Sequence, residues 1–265
     1  MEKLTIIGAG NLGVAIAKGV VNAGLLPADK VVLTRRNLQH LESLEQEGFR
    51  ISDHNVTAVE DANFVVLCVQ PKQLERVLEE INPALSKQVL VSVITGVSLD
   101  RIASKVAPGA SIVRAMPNTA VAIGESMTCI CSSSEVSKEV EQQVVRIFRS
   151  LGEVLVIEER LMKAATVLGA SGIAFFMRYL RAATQGGIEM GFHPEEAQQI
   201  AVQTAKGAAS LIIAQGNHPE VEIDRVTTPQ GCTIAGLNEM EHQGFSSALI
   251  KGLLTSFEKI NNISS

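Results

Sequence analysis

The chain has 265 residues, of which 46% are apolar, 3% aromatic and 19% charged, enough for one large or two modest folded domains. The net charge of −5 gives no basic footprint for nucleic acid. Four cysteines form no CxxC pair and five histidines have no metal-ligand spacing, so we expect neither a disulfide framework nor a metal site. We also expect no signal peptide and no membrane span, because the stretch 167–177 is too short to cross a bilayer, and therefore a cytoplasmic protein.

A phosphate-binding turn is predicted at the start of the chain. Lys3–Ile7 is an apolar run typical of a short strand, and the residues from Val14 predict a helix that ends near Gly24. Between them stand six residues with G-x-G-x-x-G spacing: Gly8, Ala9, Gly10, Asn11, Leu12 and Gly13. Strand, glycine motif and helix in this order indicate a dinucleotide-binding fold, in which N–H groups at the helix start face the pyrophosphate. The alternative is a glycine-rich turn without a ligand.

The second predicted strand, 30–34, ends in residues that favour NADPH over NADH. A fold selective for NADH has an Asp or Glu at this position, where it bonds the ribose 2′-hydroxyl. This chain has Thr34, Arg35 and Arg36 instead, and guanidinium groups bind a 2′-phosphate through charge-assisted hydrogen bonds. We therefore predict NADPH as the cofactor, with NADH as the alternative. The competing explanation is that the two arginines are solvated surface residues.

Strand-like and helix-like segments alternate as far as residue 159. Strands are predicted over 50–52, 64–69, 89–94, 111–115, 127–132 and 153–157, and helices over 37–48, a short segment from Asn55, 74–85, 98–107 and 137–151. This alternation predicts an α/β fold with a doubly wound parallel sheet of the Rossmann type. Because ligands lie at the carboxyl ends of such strands, the loop 70–72 is a second candidate for cofactor contact.

From residue 160 onward the pattern is helical. Helices are predicted over 161–191, 194–215 and 246–263, and small residues such as Gly169 and Gly186 lie within the first of them. Small residues lower helix propensity but let helices approach closely, which favours an intertwined dimer over a monomeric helical domain. We therefore predict a dinucleotide-binding domain at 1–159 and an all-α dimerisation and substrate domain at 160–265.

One more helix is predicted to begin near Gly231, after the turn 229–231. Its unpaired backbone N–H groups would bind an anion such as a carboxylate, with the hydroxyl of Thr233 beside it. Capping of the helix by Thr227, Thr228 and the turn explains the same residues equally well.

These motifs together resemble the pyrroline-5-carboxylate reductases, the last enzymes of proline biosynthesis, nearly from end to end. The resemblance rests on IIGAGNLG at 6–13, CVQPK at 68–72, SVITGVS at 92–98, VRAMPNTAV at 113–121, LGEVLVIEE at 151–159, ASGIAFF at 170–176 and TTPQGCTIAGLNEMEHQGF at 227–245. The MPNT and TTPQGCT stretches are the specific ones, since the glycine motif alone fits many dehydrogenases.

The resemblance implies NAD(P)H-dependent reduction of the cyclic imine 1-pyrroline-5-carboxylate to L-proline, by a homodimer that can assemble into a larger ring. It implies that Gly8–Gly13, Val69, Gln70, Pro71 and Lys72 hold the cofactor, with Thr34 and Asn55 near its adenosine end and Gly96, Met116 and Pro117 near the nicotinamide. It implies substrate contacts from Asn118, Ser171, Gln230, Gly231, Cys232 and Thr233. Thr233 matches the family threonine that faces the ring nitrogen and is the candidate catalytic residue.

The chain departs from the family pattern at two places. Gln230 stands where the family usually has glycine, and Ile173 and Phe175 stand where it usually has proline and tyrosine. A larger cyclic imine, such as a piperideine carboxylate, is therefore an alternative substrate. A β-hydroxyacid reductase would need a lysine that faces the nicotinamide, and neither Lys163 nor Lys206 has a supporting motif. A non-catalytic NADP-binding regulatory protein is the alternative from another class.

Overall fold

Eight strands form one sheet in the computed structural model, which describes residues 2–263. The strands are β1 (Leu4–Ile7), β2 (Val31–Thr34), β3 (Arg50–Ser52), β4 (Phe64–Leu67), β5 (Val89–Ser92), β6 (Ile112–Met116), β7 (Ser126–Ser132) and β8 (Gly152–Val156). Their order across the sheet is β3-β2-β1-β4-β5-β6-β7-β8. The chain begins near the middle of the sheet and winds outward in both directions, which confirms the doubly wound Rossmann topology.

The pairing of β6 with β7 corrects the prediction of a wholly parallel sheet. These two strands are antiparallel, with Met116 opposite Cys129, while all the other neighbouring strands are parallel. A parallel neighbour needs a crossover of about a dozen residues or more. Only a short loop with the 3₁₀-helix Thr119–Ile123 stands between β6 and β7, so the chain turns back on itself.

Seven helices accompany this sheet within the described residues. They are α1 (Asn11–Asn22), α2 (Glu42–Gln46), α3 (Asn55–Val59), α4 (Leu74–Ile81), α5 (Leu99–Ala103), α6 (Lys138–Arg149) and α7 (Met162–Ala165). Apolar side chains of α1, α2 and α6 pack on one face of the sheet, and those of α3, α4, α5 and α7 pack on the other. β1, β2, β4, β5 and β6 are consequently buried at every residue, which explains why each is a mostly apolar run in the sequence.

The remaining helices lie in the C-terminal part of the chain. They are α8 (Gly172–Glu189), α9 (Pro194–Gln215), α10 (Pro219–Arg225), α11 (Cys232–His242) and α12 (Phe245–Ile263). No strand follows residue 160 in the described part of the chain, as predicted. The short helix α10 is absent from the sequence prediction, although the side chain of its N-cap residue, His218, accepts a hydrogen bond from the N–H of Glu220.

The chain divides into two compact units. One comprises the residues up to Ser171 together with those from Phe257 onward, and the other comprises Gly172–Ser256. The domain boundary predicted near residue 159 is not decided by this division and stays a prediction. The predicted helix 161–191 is interrupted by a π-helical turn, Thr166–Ser171, which ends where the first unit does.

Exposed apolar side chains are concentrated in the second unit. They include Phe176, Met177, Ile188, Phe192, Ile200, Val202, Leu211, Ile213, Leu249, Ile250 and Leu254. An apolar surface of this extent marks an interaction site. The helical stretch Glu159–Glu189 is also long and apolar enough to cross a membrane by length and composition alone, which the shorter stretch 167–177 is not. Only 17% of its apolar window is buried within the chain.

Candidate functional site

The glycines of the turn between β1 and α1 have three different environments. Gly8 has a φ of +90°, and a Cβ at this position would lie 2.8 Å from the carbonyl oxygen of Cys68. A Cβ on Gly13 would lie 3.0 Å from both the Gly8 carbonyl oxygen and the Cγ2 atom of Ile6. A Cβ on Gly10 meets no heavy atom within 4 Å, so space is open where a ligand would approach. The geometry is therefore that of a tight turn, a close packing contact and an open cradle.

Helix α1 begins with amides that the chain itself does not use. Its N-cap residue, Gly10, has no side chain to cap the helix, and the first helical bond runs from the N–H of Val14 to the Gly10 carbonyl oxygen at 2.9 Å. The N–H groups of Asn11, Leu12 and Gly13 precede this bond and point out of the helix start. Together with the helix dipole they favour an anion at this position.

A cavity of about 550 Å³ lies beside the glycine turn. It brings together a subset of the predicted cofactor residues: Gly8, Ala9, Gly10, Thr34, Arg35, Arg36, Asn55, Val69 and Gln70. The other predicted cofactor residues lie outside its lining: Asn11, Leu12, Gly13, Pro71, Lys72, Gly96, Met116 and Pro117. Asn37, His40, Asp53, Gln73, Arg76 and Glu80 line the cavity but were not predicted. Asn37, His40, Asp53 and Gln73 have a signal in the sequence only through their position shortly after the ends of β2, β3 and β4, whereas Arg76 and Glu80 lie on α4 and have none.

The two arginines after β2 are placed differently. Arg35 is half-buried, and its Nη1 donates a hydrogen bond to the carbonyl oxygen of Ala9 at 3.3 Å. Arg36 is exposed. Neither guanidinium forms an ion pair with any carboxylate in the described part of the chain. Both positive charges are therefore available to a phosphate in the cavity.

A chain of hydrogen bonds orients Asn55 in the cavity wall. The buried hydroxyl of Thr34 donates to Oδ1 of Asn55 at 2.7 Å, and Nδ2 of Asn55 donates to Oε2 of Glu80 at 3.2 Å. The amide of Asn55 keeps one further N–H for a ligand. Thr34 and Asn55 are therefore brought together, while their predicted position near the adenosine end stays a prediction, and Glu80 adds a carboxylate that sequence reasoning missed.

The segments predicted for the nicotinamide end follow β4, β5 and β6. After β4, the N–H of Gln70 donates to Oε1 of Gln73 at 3.1 Å, and Pro71 and Lys72 are exposed. After β5, Gly96 has a φ of +78°. At the end of β6, Met116 and Pro117 are buried.

Asn118 and Ser171, both predicted to contact substrate, lie in the first unit. The Oδ1 of Asn118 accepts a hydrogen bond from the N–H of Ala120 at 3.0 Å, and its Nδ2 donates to the carbonyl oxygen of Gly169 at 3.4 Å. Its side chain is thus used within the chain, and its substrate role stays a prediction. Ser171 is half-buried at the end of the π-helical turn, a rare conformation that is frequent at functional sites.

The start of α11, in the second unit, resembles the start of α1. Its N-cap residue, Gly231, supplies no side-chain bond, so the N–H groups of Cys232 and Thr233 are left for a ligand. The N–H of Gly231 donates to the carbonyl oxygen of Thr228 at 2.9 Å. A Cβ on Gly231 would lie 2.5 Å from Oγ1 of Thr228, so a larger residue here would force the side chain of Thr228 to move. The bond from Gly231 to Thr228 closes the turn before α11, and no side chain caps the start of this helix.

Gln230 has a φ of +60° and is the non-glycine residue with a positive φ in the described part of the chain. A left-handed conformation costs a residue with a Cβ about 1–2 kcal/mol. The backbone of this turn therefore has the conformation that suits glycine, although glutamine occupies the position.

The thiol of Cys68 lies in the wall of this cavity. Burial raises the pKa of Cys68 to about 12 and that of Cys131 to about 11, and it also raises the pKa of Cys129. These cysteines therefore stay protonated at neutral pH and act as small apolar side chains. Among the described residues, no three His, Cys, Asp or Glu side chains are grouped as metal ligands.

Comparison with known proteins shows the family of the chain. Residues 159–263 match the family model for pyrroline-5-carboxylate reductase dimerisation, and residues 3–96 match that for NADP oxidoreductase, coenzyme F420-dependent. Pyrroline-5-carboxylate reductase 2 of Dictyostelium discoideum is 43% identical, over 100% of this chain and 97% of the relative. The chain belongs to the pyrroline-5-carboxylate reductase family.

Other relatives agree with this assignment. Pyrroline-5-carboxylate reductase 1 of Dictyostelium discoideum is 47% identical over 97% of this chain, which spans only 49% of the length of that relative. The crystal structure of Plasmodium falciparum pyrroline carboxylate reductase with NADP bound is similar, with a TM-score of 0.91 and 25% identity over 100% of both chains. A pyrroline-5-carboxylate reductase structure from Coxiella burnetii has a TM-score of 0.94 and 26% identity, over 100% of this chain and 99% of that one.

The strain at Gln230 predicts the effect of a substitution. We expect Gln230→Gly to raise the free energy of unfolding by roughly 0.5–1 kcal/mol, because the relief of the left-handed conformation exceeds the entropy that glycine adds to the unfolded chain. Thermal unfolding of the purified protein measures this change. Gln230→Ala is the matched control, since it removes the side chain but keeps the strain. An equal gain from both variants would show that the side chain, and not the backbone, is the cause.

Proposed function

We propose that the chain reduces 1-pyrroline-5-carboxylate to L-proline with NADPH. The observation that carries this proposal is the match to near-full-length relatives of that name, such as the 43% identical protein above. The open position at Gly10 and the unpaired amides at the starts of α1 and α11 supply two anion-binding sites of the kind that this reaction needs.

The reaction requires little acid or base chemistry from side chains. When bound, NADPH would supply a hydride to the carbon of the C=N bond, and a proton taken from solvent by the ring nitrogen would complete the reduction to a C–N bond. The amides of Asn11, Leu12 and Gly13 would bind the pyrophosphate, and Arg35 and Arg36 would bind the 2′-phosphate. The amides of Cys232 and Thr233 bind the substrate carboxylate, and the Thr233 hydroxyl donates a hydrogen bond to the ring nitrogen.

We further propose that the protein is a homodimer through its C-terminal helices, which can assemble into a larger ring. A Cβ on Gly186, Gly207 or Gly252 would meet no heavy atom of the chain within 4 Å, so packing within one chain does not need glycine at these positions. A Cβ on Gly187, in contrast, would lie 2.9 Å from the Cβ of Ala197. Glycines beside exposed apolar side chains leave room for helices of a second copy. We keep the cytoplasm as the proposed location and propose no nucleic-acid or membrane partner.

A direct assay tests the reaction. We expect the purified chain to oxidise NADPH much faster with 1-pyrroline-5-carboxylate than with a piperideine carboxylate. The loss of NADPH absorbance measures both rates. Faster turnover of the piperideine carboxylate would overturn the proposed five-membered ring of the substrate. Gln230, Ile173 and Phe175 are the departures from the family pattern to which this preference would then be assigned. NADPH binding without oxidation by either imine would favour the regulatory protein instead.

The proposed role of the Thr233 hydroxyl predicts a loss of kcat when this group is removed. We expect Thr233→Ala to lower kcat by roughly 10- to 1000-fold, since one hydrogen bond to the reacting nitrogen disappears. Thr233→Ser keeps the hydroxyl and serves as the matched control, with a kcat close to that of the unsubstituted protein. Unchanged turnover in Thr233→Ala would remove this residue from the mechanism.

The arginines after β2 predict the cofactor preference. We expect the double variant Arg35→Ala, Arg36→Ala to weaken NADPH binding at least about tenfold while NADH binding changes little, because only NADPH has a 2′-phosphate. Fluorescence titration with both cofactors measures this difference. Arg50→Ala removes an exposed arginine of β3 outside the cavity and is the control. Equal losses for the two cofactors would contradict the 2′-phosphate contact.

A further inference from the structure

A partly buried ion pair between Arg114 and Glu159 lies outside the lining of the cofactor cavity, and the side chain of Glu159 is 32% exposed. Arg114, on β6, is only 6% exposed. Its Nη1 donates to Oε1 of Glu159 at 2.9 Å. The same carboxylate oxygen accepts a hydrogen bond from the N–H of Leu99 at 2.6 Å. One carboxylate thus joins three segments that are far apart in the sequence.

Stability alone does not account for this pair. Removing the charge of Arg114 from water is expensive, and apolar residues of similar size often replace such a pair without loss of stability. The pair is also incompletely satisfied, because Nε of Arg114 is buried and has no hydrogen-bond partner among the described residues. A buried donor without a partner costs about 1–3 kcal/mol. The arrangement is therefore better explained by the positions that it imposes.

The segments that it joins lead to the predicted nicotinamide end. Strand β6 continues from Arg114 directly to Met116 and Pro117. Leu99 is the first residue of α5 and follows the turn at Gly96, after Ser98 caps the helix. Glu159 therefore fixes the distance between the loop after β5 and the loop after β6.

Two further contacts hold the segment after Glu159 against the same loops. The side chain of Met162 is fully buried in the apolar cluster that also contains Met116 and Val97. Nδ2 of Asn118 donates to the carbonyl oxygen of Gly169 at 3.4 Å. The start of the region that matches the dimerisation model is thus attached to the loops that follow β5 and β6.

We propose that Glu159, through Arg114 and the N–H of Leu99, is a positioning residue that sets the spacing of the two nicotinamide-end loops for hydride transfer. This inference rests on the proposed function. Glu159 touches neither cofactor nor substrate in this assignment, and it acts through the loops that do. A displacement of the order of 1 Å at reacting groups lowers a rate by about 100-fold.

The neighbouring residue supplies a matched control. Glu158 is 69% exposed on its side chain, and its ion pair with Arg160 lies at the surface. Glu158→Ala removes the same charge from the adjacent position without touching β6 or α5. We expect this variant to equal the unsubstituted protein in stability, cofactor binding and turnover.

The experiment separates positioning from folding. Glu159→Ala is compared with the double variant Arg114→Met, Glu159→Gln, in which Gln still accepts from Leu99 but both charges are gone. We expect both to lower kcat by roughly 10- to 100-fold. We expect the thermal midpoint of the double variant to stay unchanged. We also expect both variants to keep their affinity for adenosine 2′,5′-bisphosphate, because this ligand lacks the nicotinamide. Glu159→Gln alone, which keeps Arg114 and the acceptor, should recover most of the kcat.

Four outcomes decide the proposal. A lower kcat with unchanged bisphosphate affinity supports it. An unchanged kcat in the double variant overturns the proposal. A loss of affinity for adenosine 2′,5′-bisphosphate as large as the loss of kcat also overturns it, because such a loss would indicate general destabilisation of the protein. If the unsubstituted protein and Glu158→Ala both fail to oxidise NADPH, the proposed function fails. The emission spectrum of bound NADPH then still decides the positioning role, because it changes in the double variant only if the nicotinamide end has moved.

Discussion

The structure depends on one constraint: the backbone N–H groups at the start of α1 must be held in place without being used by the chain. The neighbouring backbone provides this support. The N–H groups of Gly8 and Ala9 both donate to the carbonyl oxygen of Thr34, at 3.1 and 2.9 Å, so the turn is fastened to the end of β2. The guanidinium of Arg35 in turn donates to the carbonyl oxygen of Ala9. The glycine turn, the end of β2 and Arg35 are therefore parts of one hydrogen-bonded unit.

The buried sheet provides the rigidity that this unit requires. Five strands that are neighbours in the sheet, β2, β1, β4, β5 and β6, are buried at every residue. With 3% aromatic residues, the packing on both faces comes from branched aliphatic side chains, which fit the pleated surface closely and restrict its motion. The loops at the carboxyl edge thus extend from fixed points. The proposed reaction needs few reactive side chains. Its rate therefore depends mainly on how accurately the cofactor and the substrate are positioned.

Sequence reasoning located what depends on local pattern. Strands buried on both faces are continuous apolar runs, and a glycine motif between strand and helix has few structural explanations, so the sheet and the first anion site were predictable. The direction of β7 was not, because it depends on the length of a connection that contains a 3₁₀-helix. Arg76 and Glu80 line the cavity from α4, and the face that a helix presents to a cavity depends on tertiary packing. The π-helical turn at Thr166–Ser171 was likewise missed, because its residues differ little from those of a regular helix.

Some departures from ordinary local rules occur on segments that the sequence assigns to ligands. Helices α1 and α11 begin without a capping side chain, as α2, α3 and α4 also do, Gln230 has a left-handed backbone, and Arg114 buries an unsatisfied donor on the strand that leads to Met116. A chain selected for stability alone has a simple remedy for each, namely a capping serine, a glycine or an apolar pair. A capping side chain at Gly10, however, would occupy the space that the pyrophosphate needs. The departures at α1, α11 and β6 are therefore consistent with stability given up for placement, whereas Gln230 replaces the glycine that would serve both. Gln230 thus differs from the other departures, because neither the stability of the turn nor the placement of the α11 amides explains a glutamine at this position.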